Sequence, residues 1–532
     1  MGLRPHRLAF AAAAAAALLF AAPAAIGSGN GTRIVGGHAP TRAYPAQGAI
    51  YIESTTTPGT YSQGCGGTLV GSWQFLTAAH CVVFSNGVVR PADDFRVLLG
   101  RTSLVGVAFA DTTAVTNVDV HSGYNHATHQ NDVAMLRLAT PSALAPMRVI
   151  RGDENPIWAP GVNATIIGWG RTSEGGSGST SLLEANVPIR ADSDCTNPGS
   201  YGPTFDPSNM LCAAPAAGGA DTCQGDSGGP LMVPDGTGTL ALVGVTSWGI
   251  GCARAQYPGI YSRLGGSLSQ WLMERHPWVS FTVGAAHSGL PITFTASTFQ
   301  PGPGGPFTGL NWDFDNNFAY NDASGGSVTR TFPTGGAFAV GVEASGGDRV
   351  TYRRVIVVNG RPTAEAGGPY VLREGGDGTF AGSGADPEGQ ALSFGWDLDK
   401  NGSYETAGAN PRISAARTDG PFSLAVTLQV CDSAGGCTTD DATVGVTNVA
   451  PRANAGRDRR AKRRQRVRFR VAIADPGAGE RFHIAWNCGN GRRATGRTAT
   501  CRYGRRGRFT VRVTVTDDDG GRGADSVRVR VR

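Results

Sequence analysis

The run Asp221-Thr-Cys-Gln-Gly-Asp-Ser-Gly-Gly229 places a serine, Ser227, inside a glycine-rich turn. One carboxylate, Asp226, directly precedes the serine, and a second, Asp221, lies six residues upstream. Glycines allow a backbone to approach a substrate closely and to direct its N–H groups at a developing oxyanion. The run therefore predicts a nucleophilic serine, although a tight loop in any secreted protein could have the same composition.

Two further runs supply the groups that a nucleophilic serine requires. Thr77-Ala-Ala-His-Cys81 presents His80 beside a cysteine, and Asn131-Asp-Val-Ala-Met-Leu136 presents Asp132 at the head of an apolar strand. A serine needs a base to become nucleophilic, and that base needs a group that fixes its tautomer and stabilises its protonated form. The order His80, Asp132, Ser227 therefore predicts a catalytic triad.

The residues around these runs, 34–276, form a continuous pattern of short apolar strands separated by turns, which predicts an all-β domain. The domain closes with Ser267-Leu-Ser-Gln-Trp-Leu-Met-Glu-Arg275, in which Leu268, Trp271 and Leu272 fall on one helical face. We expect Ser267 to cap this terminal helix and Pro277 to end it.

On these motifs, residues 34–276 resemble a trypsin-like serine protease of the chymotrypsin family, whose fold is two β-barrels followed by a helix. The resemblance implies that His80 is the general base, Asp132 its orienting partner and Ser227 the nucleophile. It also implies an oxyanion hole made by the backbone N–H groups of Gly225 and Ser227. The mechanism is that of the well-described triad and requires no cofactor.

The same resemblance implies a substrate preference. Asp221 occupies the position at which trypsin-like enzymes keep the acidic base of the S1 pocket, and Ser247, Trp248, Gly249 and Gly259 match the pocket walls. A carboxylate at the bottom of an open pocket selects arginine or lysine. We therefore expect protein or peptide substrates that are cleaved after Arg or Lys.

The start of the domain, Arg33-Ile-Val-Gly-Gly37, resembles a zymogen junction. Cleavage after Arg33 would free the ammonium group of Ile34, which in the family buries itself and pairs with the aspartate before the nucleophile, here Asp226. A buried carboxylate needs a partner, so this pairing would act as a switch.

Upstream of this junction, the N-terminus has the pattern of an export signal. Arg4 and Arg7 precede an apolar stretch over residues 8–20, and Ala22-Pro-Ala24 has the small residues of a cleavage site. The stretch is short for a membrane span. We therefore expect a signal peptide at 1–24, a short propeptide at 25–33 and a secreted protein.

The ten cysteines are even in number, form no CxxC pair and carry no histidines at zinc spacing, which favours disulfides in an oxidising compartment over a metal site. The resemblance implies Cys65–Cys81, Cys195–Cys212 and Cys223–Cys252. Proximity in the sequence predicts two more pairs, Cys431–Cys437 and Cys488–Cys501.

Residues 277–532 contain a repeat of about 80–85 residues, which indicates an array of small domains. The landmarks are Asn311-Trp-Asp-Phe-Asp315, Gly395-Trp-Asp-Leu-Asp399 and Ala485-Trp-Asn-Cys-Gly489. These units resemble PKD domains, which are immunoglobulin-like β-sandwiches. We expect three modules, at 277–360, 361–449 and 450–532, and the first has lost much of the turn motif.

The last module is strongly basic. Residues 451–532 hold 23 Lys and Arg against 7 Asp and Glu, a net charge of +16. Such a surface can attract anionic polymers, cell-surface polysaccharide or nucleic acid, or can simply keep a module soluble. We expect the tail to bind an anionic polymer, a polysaccharide or a protein, we expect no nucleic-acid function, and we expect a monomer.

One loop of the second module has oxygen ligands at alternating positions. Asp397, Asp399 and Asn401 are followed by a turn glycine, as at the start of a calcium loop. The spacing to Glu405 does not reproduce that of an EF-hand, and a turn without metal remains the alternative.

Together these features predict a secreted serine endopeptidase with three C-terminal sandwiches. Two alternatives from other classes stay open. One is a protease-like fold used only for binding, and the other is an adhesin that holds protein or polysaccharide, with proteolysis secondary.

Overall fold

Strands make up nearly all the regular structure of the described residues. The computed structural model describes residues 34–532 except Asp153, Pro303 and Arg417. The predicted signal peptide, the propeptide and Arg33 lie outside the described residues. The chain divides into two compact units, one running to Pro234 and including Leu240–His276, the other comprising Asp235–Thr239 and Pro277–Arg532.

The first unit begins with a closed six-stranded barrel. Its strands pair antiparallel in the order β1-β2-β3-β6-β5-β4. Their bounds are β1 Gln47–Glu53, β2 Tyr61–Leu69, β3 Gln74–Thr77, β4 Phe95–Leu99, β5 Thr113–Val120 and β6 Ala134–Leu138.

A seven-stranded sheet follows, in the order β10-β13-β12-β11-β8-β9 with β7 beside β12. Its edge strands meet at a bridge between Ile189 and Ala213, so the sheet curls into a second barrel. The bounds are β7 Arg148–Val149, β8 Asn163–Gly168, β9 Leu183–Pro188, β10 Met210–Ala213, β11 Pro230–Pro234, β12 Leu240–Trp248 and β13 Gly259–Arg263.

Two short α-helices complete this unit, α1 Asp192–Thr196 and α2 Ser269–Met273. Leu268, Trp271 and Leu272 are buried in the core, as the helical pattern predicts. The prediction that Ser267 caps the helix is wrong. Leu268 is the residue at the cap, and the Ser267 hydroxyl instead donates to the carbonyl of Ser208 at 3.1 Å.

Five disulfides are present, and their pairs are those expected from the sequence. They are Cys65–Cys81, Cys195–Cys212, Cys223–Cys252, Cys431–Cys437 and Cys488–Cys501. No helix among the described residues is long and apolar enough to cross a membrane.

The second unit is built from three successive groups of strands. The first group is β14 Trp278–Val283, β15 Pro291–Phe299, β16 Phe307–Asp313, β17 Ala323–Ser324, β18 Ser327–Thr331, β19 Gly336–Gly346 and β20 Arg349–Val358. The second is β21 Tyr370–Arg373, β22 Asp377–Thr379, β23 Ser393–Asp397, β24 Thr406–Ala407, β25 Arg412–Ser414, β26 Phe422–Cys431 and β27 Cys437–Thr447. The third is β28 Arg452–Asn454, β29 Arg459–Ala461, β30 Arg466–Arg470, β31 Ala472–Ala474, β32 His483–Asn487, β33 Arg493–Thr495, β34 Thr498–Arg502, β35 Gly507–Thr516 and β36 Arg522–Val531.

Each group encloses its own hydrophobic core. One buried tryptophan sits in each core, Trp312, Trp396 and Trp486, and its indole N–H donates to a glycine carbonyl 10 to 13 residues later. The repeated tryptophan of the sequence is therefore a repeated core anchor with a satisfied polar atom.

The second and third groups share one arrangement. Their main sheets run β21-β27-β26-β23-β24 and β29-β36-β35-β32-β33. Corresponding strands occupy corresponding places, and in both sheets the edge strand β21 or β29 pairs parallel to its neighbour. The first group instead has a four-stranded sheet, β17-β16-β19-β20, and a three-stranded sheet, β14-β15-β18. The predicted fold class, an all-β two-barrel domain followed by β-sandwiches, is confirmed.

Candidate active site

Strand pairing brings His80 and Asp132 together. Thr77, the last residue of β3, pairs with Ala134, the first residue of β6. His80 lies in a 3₁₀ helix, Ala79–Cys81, just after β3, and Asp132 lies just before β6. Both side chains are therefore held at the same end of the first barrel.

Asp132 binds His80 twice. One carboxylate oxygen accepts the backbone N–H of His80, and the other contacts His80 Nδ1, each at 2.8 Å. The double contact fixes both the ring and the backbone of His80. An ionised carboxylate can only accept, so His80 Nδ1 is the donor in this bond, and Nε2 is left with a lone pair that could accept a proton.

The second barrel holds the same aspartate. Ser247 Oγ, at the end of β12, donates to Asp132 Oδ2 at 2.5 Å, and Ser262 Oγ, in β13, donates to the Asp132 carbonyl at 2.7 Å. Asp132 is fully buried, and these bonds satisfy it from both sheets. The prediction placed Ser247 in the substrate pocket, and it lines that cavity while it also bonds Asp132.

Burial and charge act in opposite directions on this pair. Burial by itself would lower the pKa of His80, but the charge of Asp132 and its hydrogen bond leave that pKa above the usual value. Burial would raise the pKa of Asp132, whereas the charge and hydrogen bonds of His80, with the bond from Ser247, hold it below the usual value. Asp132 thus stays ionised and supports a protonated His80.

The loop that carries Ser227 packs against strands β2 and β3, and β3 leads directly to His80. Gly66 N donates to the Ser227 carbonyl at 2.7 Å. A Cβ added at Gly228 would lie 2.1 Å from Thr77 Oγ1, and the φ of Gly228 is +79°, so this position requires glycine. Ser227 Oγ makes no hydrogen bond within the described residues. In free enzymes the hydrogen bond between a nucleophile and its general base often forms only when substrate is bound.

Two backbone donors beside Ser227 are available to a ligand. Over the described part of the chain, the N–H groups of Gly225 and Ser227 have no acceptor, whereas the N–H groups of Asp226, Gly228 and Gly229 are bonded to backbone carbonyls. The carbonyl of Gly225 is itself held by Gln63 Nε2 at 3.1 Å. A loop whose other polar groups are fixed can present these two donors to an oxyanion.

A cavity of about 190 Å³ opens beside Ser227. All five predicted pocket residues line it: Asp221, Ser247, Trp248, Gly249 and Gly259. The other lining residues besides Ser227 are Thr222, Cys223, Gln224, Thr246, Gly251 and Cys252. A Cβ at Gly259 would lie 2.4 Å from Asp221 Oδ1, so any larger side chain would fill the bottom of the cavity. The Cys223–Cys252 disulfide closes one wall.

Asp221 is buried in this cavity, and no cationic side chain of the described residues pairs with it. Its oxygens accept the N–H groups of Thr222 at 2.8 Å and Ala253 at 3.0 Å. Burial raises the pKa of Asp221 to about 7, and these two bonds only partly offset the effect. The cavity therefore ends in a carboxylate whose ionised form a positive charge would stabilise.

Asp226, the residue directly before Ser227, is also buried. Gly170 N and Cys223 N donate to its two oxygens at 2.8 and 2.9 Å. Burial raises the pKa of Asp226 to about 6, and no Lys, Arg or His of the described chain pairs with it. Ile34 is fully buried and belongs to the core of the same unit.

Sequence reasoning missed two residues of the site. Ser262 carries no local motif, and only the pairing of β13 with β12 shows its contact with Asp132. His129 lies three residues before Asp132, and its ring stacks on Trp248 and meets His80 edge-on, with ring centroids 6.2 and 5.8 Å apart. His80, His129 and Asp132 place one ligand atom each within 4.8 Å of one another, so they could hold a metal ion.

The calcium loop predicted in the second module is closed by its own backbone. Asp397 accepts the N–H groups of Asp399, Asn401 and Gly402 at 2.8 to 3.2 Å. Asp397, Asp399 and Glu405 still lie close enough to share an ion. Metal binding by this loop stays a prediction.

A closed barrel and a curled second sheet, with a His–Asp pair and a serine loop where they meet, define the class of chymotrypsin-like serine endopeptidases. The family model described as Trypsin matches residues 34–272, and the model described as PKD domain matches residues 448–531.

Comparison with individual proteins agrees. The chain is 44% identical to a trypsin of Saccharopolyspora erythraea over 38% of this chain and 83% of that protein. It is 36% identical to trypsin eta of Drosophila erecta over 46% of this chain and 90% of that protein. It is 38% identical to the proclotting enzyme of Tachypleus tridentatus over 46% of this chain and 66% of that protein. The chain belongs to the trypsin family and is a serine endopeptidase of that type.

Proposed function

We propose that this chain is a secreted zymogen which, after cleavage behind Arg33, hydrolyses proteins after Arg or Lys through His80, Asp132 and Ser227. The observation that carries the proposal is the buried carboxylate of Asp221, which ends a cavity lined by Ser227 and lacks a cation. Protein substrates follow from the family, whereas the side-chain preference follows from this carboxylate.

In the proposed reaction His80 first accepts a proton from Ser227 and then returns it to the leaving group. Ser227 Oγ attacks the carbonyl carbon while its proton passes to His80 Nε2, and Asp132 stabilises the imidazolium that forms. The N–H groups of Gly225 and Ser227 bind the oxyanion, and each such donor contributes about 10²–10³-fold to kcat. His80 then protonates the leaving amine, and water, activated by the same base, releases the acyl group from Ser227.

A positive charge on the substrate would offset the cost of keeping the buried Asp221 carboxylate ionised. Burial disfavours the ionised carboxylate, and a guanidinium or ammonium group in the cavity would supply the missing counter-charge. An uncharged side chain would leave that carboxylate unpaired or protonated. Selection for Arg or Lys therefore rests on the cost of an unpaired buried charge as well as on the fit.

Replacing Asp221 by serine should remove this selection. We expect Asp221→Ser to lower kcat/KM for an arginyl peptide amide by about 10²–10⁴-fold, the effect of leaving a buried charge without its partner. Steady-state kinetics of the activated enzyme on arginyl and phenylalanyl amides would measure it. Asp93→Ser, at an exposed position of the same unit, is the matched control, and unchanged hydrolysis of the arginyl amide by Asp221→Ser would refute the role.

The activation step rests on Asp226. Its carboxylate is buried, its pKa is raised to about 6 and no cationic side chain of the described chain meets it. Ile34 is already buried in the core beside this part of the unit, and the bridge between Val35 and Asp221 ties the segment to the serine loop. A new ammonium group on Ile34 would be a suitable counter-charge.

Arg33→Gln tests the switch. We expect the secreted, uncleaved variant to lose activity by about 10²-fold or more, because the oxyanion donors beside Asp226 would not be held in place. Mass spectrometry would confirm that residues before Ile34 are retained, and active-site titration would give the active fraction. Arg42→Gln, at an exposed arginine nearby, should behave as the parent does. Full activity of the uncleaved Arg33→Gln protein would exclude the switch.

A second function, adhesion to an acidic polysaccharide, is favoured by the third group of strands. On the outer face of the sheet β29-β36-β35, Arg460 pairs with Arg530, and Arg530 pairs with Arg508. Like charges directly opposite on a sheet are destabilising. Among the described residues, no ion pair relieves this row.

The rest of the face is polar and free of aromatic rings. The other exposed side chains of β35 and β36 on this face include Thr510, Arg512, Ser526 and Arg528. The exposed large hydrophobic side chains of the described chain all lie elsewhere, at or before Val371. Single-stranded nucleic acid is bound mainly by stacking on aromatic rings, which this face lacks. Guanidinium groups between hydroxyls instead fit the sulfate or carboxylate groups of a linear polysaccharide.

Chromatography on immobilised heparin tests this face, with Ser227→Ala chains to prevent proteolysis. We expect the triple variant Arg460→Ser, Arg508→Ser, Arg530→Ser to elute at clearly lower salt than the parent. The control triple removes the same charge from the opposite sheet, at Arg466, Arg468 and Arg502. Equal losses in both triples would show a general charge effect and would contradict a specific face.

A further inference from the structure

Carboxylates gather where the second and third groups of strands adjoin. Of the seven acidic residues in 451–532, five lie in two short segments, at Asp475, Glu480 and Asp517-Asp-Asp519. Glu374 and Asp419 of the preceding group join them, and Glu374, Asp419 and Glu480 place oxygens within 4.8 Å of one another. This concentration is unexpected in a segment whose net charge is +16.

Five buried oxygens at this cluster lack hydrogen-bond donors among the described residues. Both carboxylate oxygens of Glu480 are buried without a partner, and so is one oxygen each of Asp475, Asp517 and Asn448. Buried polar atoms in native proteins nearly always have a partner. Five such oxygens at one place therefore indicate a missing ligand that accepts oxygen donors.

Asp517 provides the clearest single case. Its side chain is 4% exposed, and only Oδ1 is bonded, by Gly521 N at 2.6 Å. Burial raises the pKa of Asp475 and of Asp519, and the charge of Asp517 adds to both effects, so the three carboxyl groups lie near one another. Its free oxygen, Oδ2, has no donor from the described chain.

The carboxylates repel one another. Burial, together with contacts to the carboxyl groups of Asp518 and Asp419, raises the pKa of Glu480 to about 8. Arg481 lies nearby, but its backbone N–H, rather than an ion pair, contacts Asp518, at 3.1 Å. No cationic side chain of the described residues forms an ion pair with any member of the cluster.

We propose that Glu374, Asp419, Asp475, Glu480 and Asp517 form a calcium site that joins the second and third groups of strands. The donors are all hard oxygen atoms, with no histidine or cysteine, which excludes a preference for zinc. Calcium takes six to eight oxygen ligands in flexible geometry, whereas magnesium keeps several waters in a strict octahedron. The number of protein oxygens without donors therefore favours calcium.

Bound calcium would also fix the chain between the two groups. The carboxylate of Glu374 accepts the N–H groups of Val449, at 2.6 Å, and Gly420, at 3.1 Å, and thus already holds the connecting segment. An ion shared by Glu374 and Asp475 would link one group directly to the next. In the absence of calcium, repulsion among the same side chains would loosen this connection.

Calorimetry on the full chain carrying Ser227→Ala tests the site independently of proteolysis. We expect isothermal titration with CaCl₂ to show binding with a Kd of about 10⁻⁵–10⁻³ M, in the range of sensors and extracellular modules. We expect differential scanning calorimetry to show unfolding at a higher temperature in calcium than in EDTA, and a smaller increase with an equal concentration of MgCl₂.

Two substitutions make the test specific. Glu480→Gln and Asp517→Asn should each abolish the calcium-dependent increase in unfolding temperature. In EDTA, Glu480→Gln should unfold at a higher temperature than the parent, because the substitution removes a repulsive charge. Glu365→Gln, at an exposed carboxylate outside both acidic loops, is the control and should retain the calcium response. Asp399→Asn reports any separate contribution of the loop in the second group.

The outcomes are distinct. Loss of the calcium response in Glu480→Gln, with higher stability in EDTA, supports the site. Absence of any calcium binding by the parent, or a response abolished by Asp399→Asn and retained by Glu480→Gln, would overturn it. Should Asp517→Asn fail to fold, Glu480→Gln alone decides, because its side chain is only partly buried.

Discussion

A carboxylate that folding removes from water must be met by donors or by a cation, and this constraint organises the chain. Asp132 is the residue on which the active site depends. It is fully buried, and its carboxylate is bound by His80 of the first barrel and Ser247 of the second, while its backbone carbonyl accepts a bond from Ser262. The same bonds that make its burial tolerable also orient the imidazole and hold the two barrels in register around it.

Three other carboxylates have no cationic partner in the described chain, and in our account each marks a place where a positive charge would complete the structure. Asp221 ends the cavity beside Ser227, Asp226 directly precedes Ser227, and Glu480 lies among six other acids where the second and third groups of strands adjoin. In our proposals the counter-charges are a substrate side chain, a new N-terminus and a calcium ion. One physical cost thus underlies specificity, activation and the cohesion of the tail.

Local sequence motifs, with the family resemblance that they carry, were sufficient to predict the fold class, the five disulfides and the pairing of His80 with Asp132. The motifs succeed because Thr77 and Ala134 pair in adjacent strands. This pairing places His80, three residues after Thr77, beside Asp132, two residues before Ala134, independently of the conformation of the loops between them. Ser262 and His129 were missed because their contacts arise from long-range packing and leave no spacing in the sequence. Ser267 was wrongly predicted to cap the last helix, since its hydroxyl finds a tertiary partner in Ser208. The acidic cluster escaped notice for the same reason, as Glu374 and Glu480 lie in different modules.

The central claim is that Asp221 directs the family's chemistry to basic side chains. Its most direct test is to digest a denatured proteome with the activated enzyme and to sequence the new termini, with the Ser227→Ala protein as control. We predict that nearly all new cleavage sites follow Arg or Lys and that the control produces none of them. Cleavage sites without a basic residue on the acyl side, or the same sites in the Ser227→Ala digest, would contradict it.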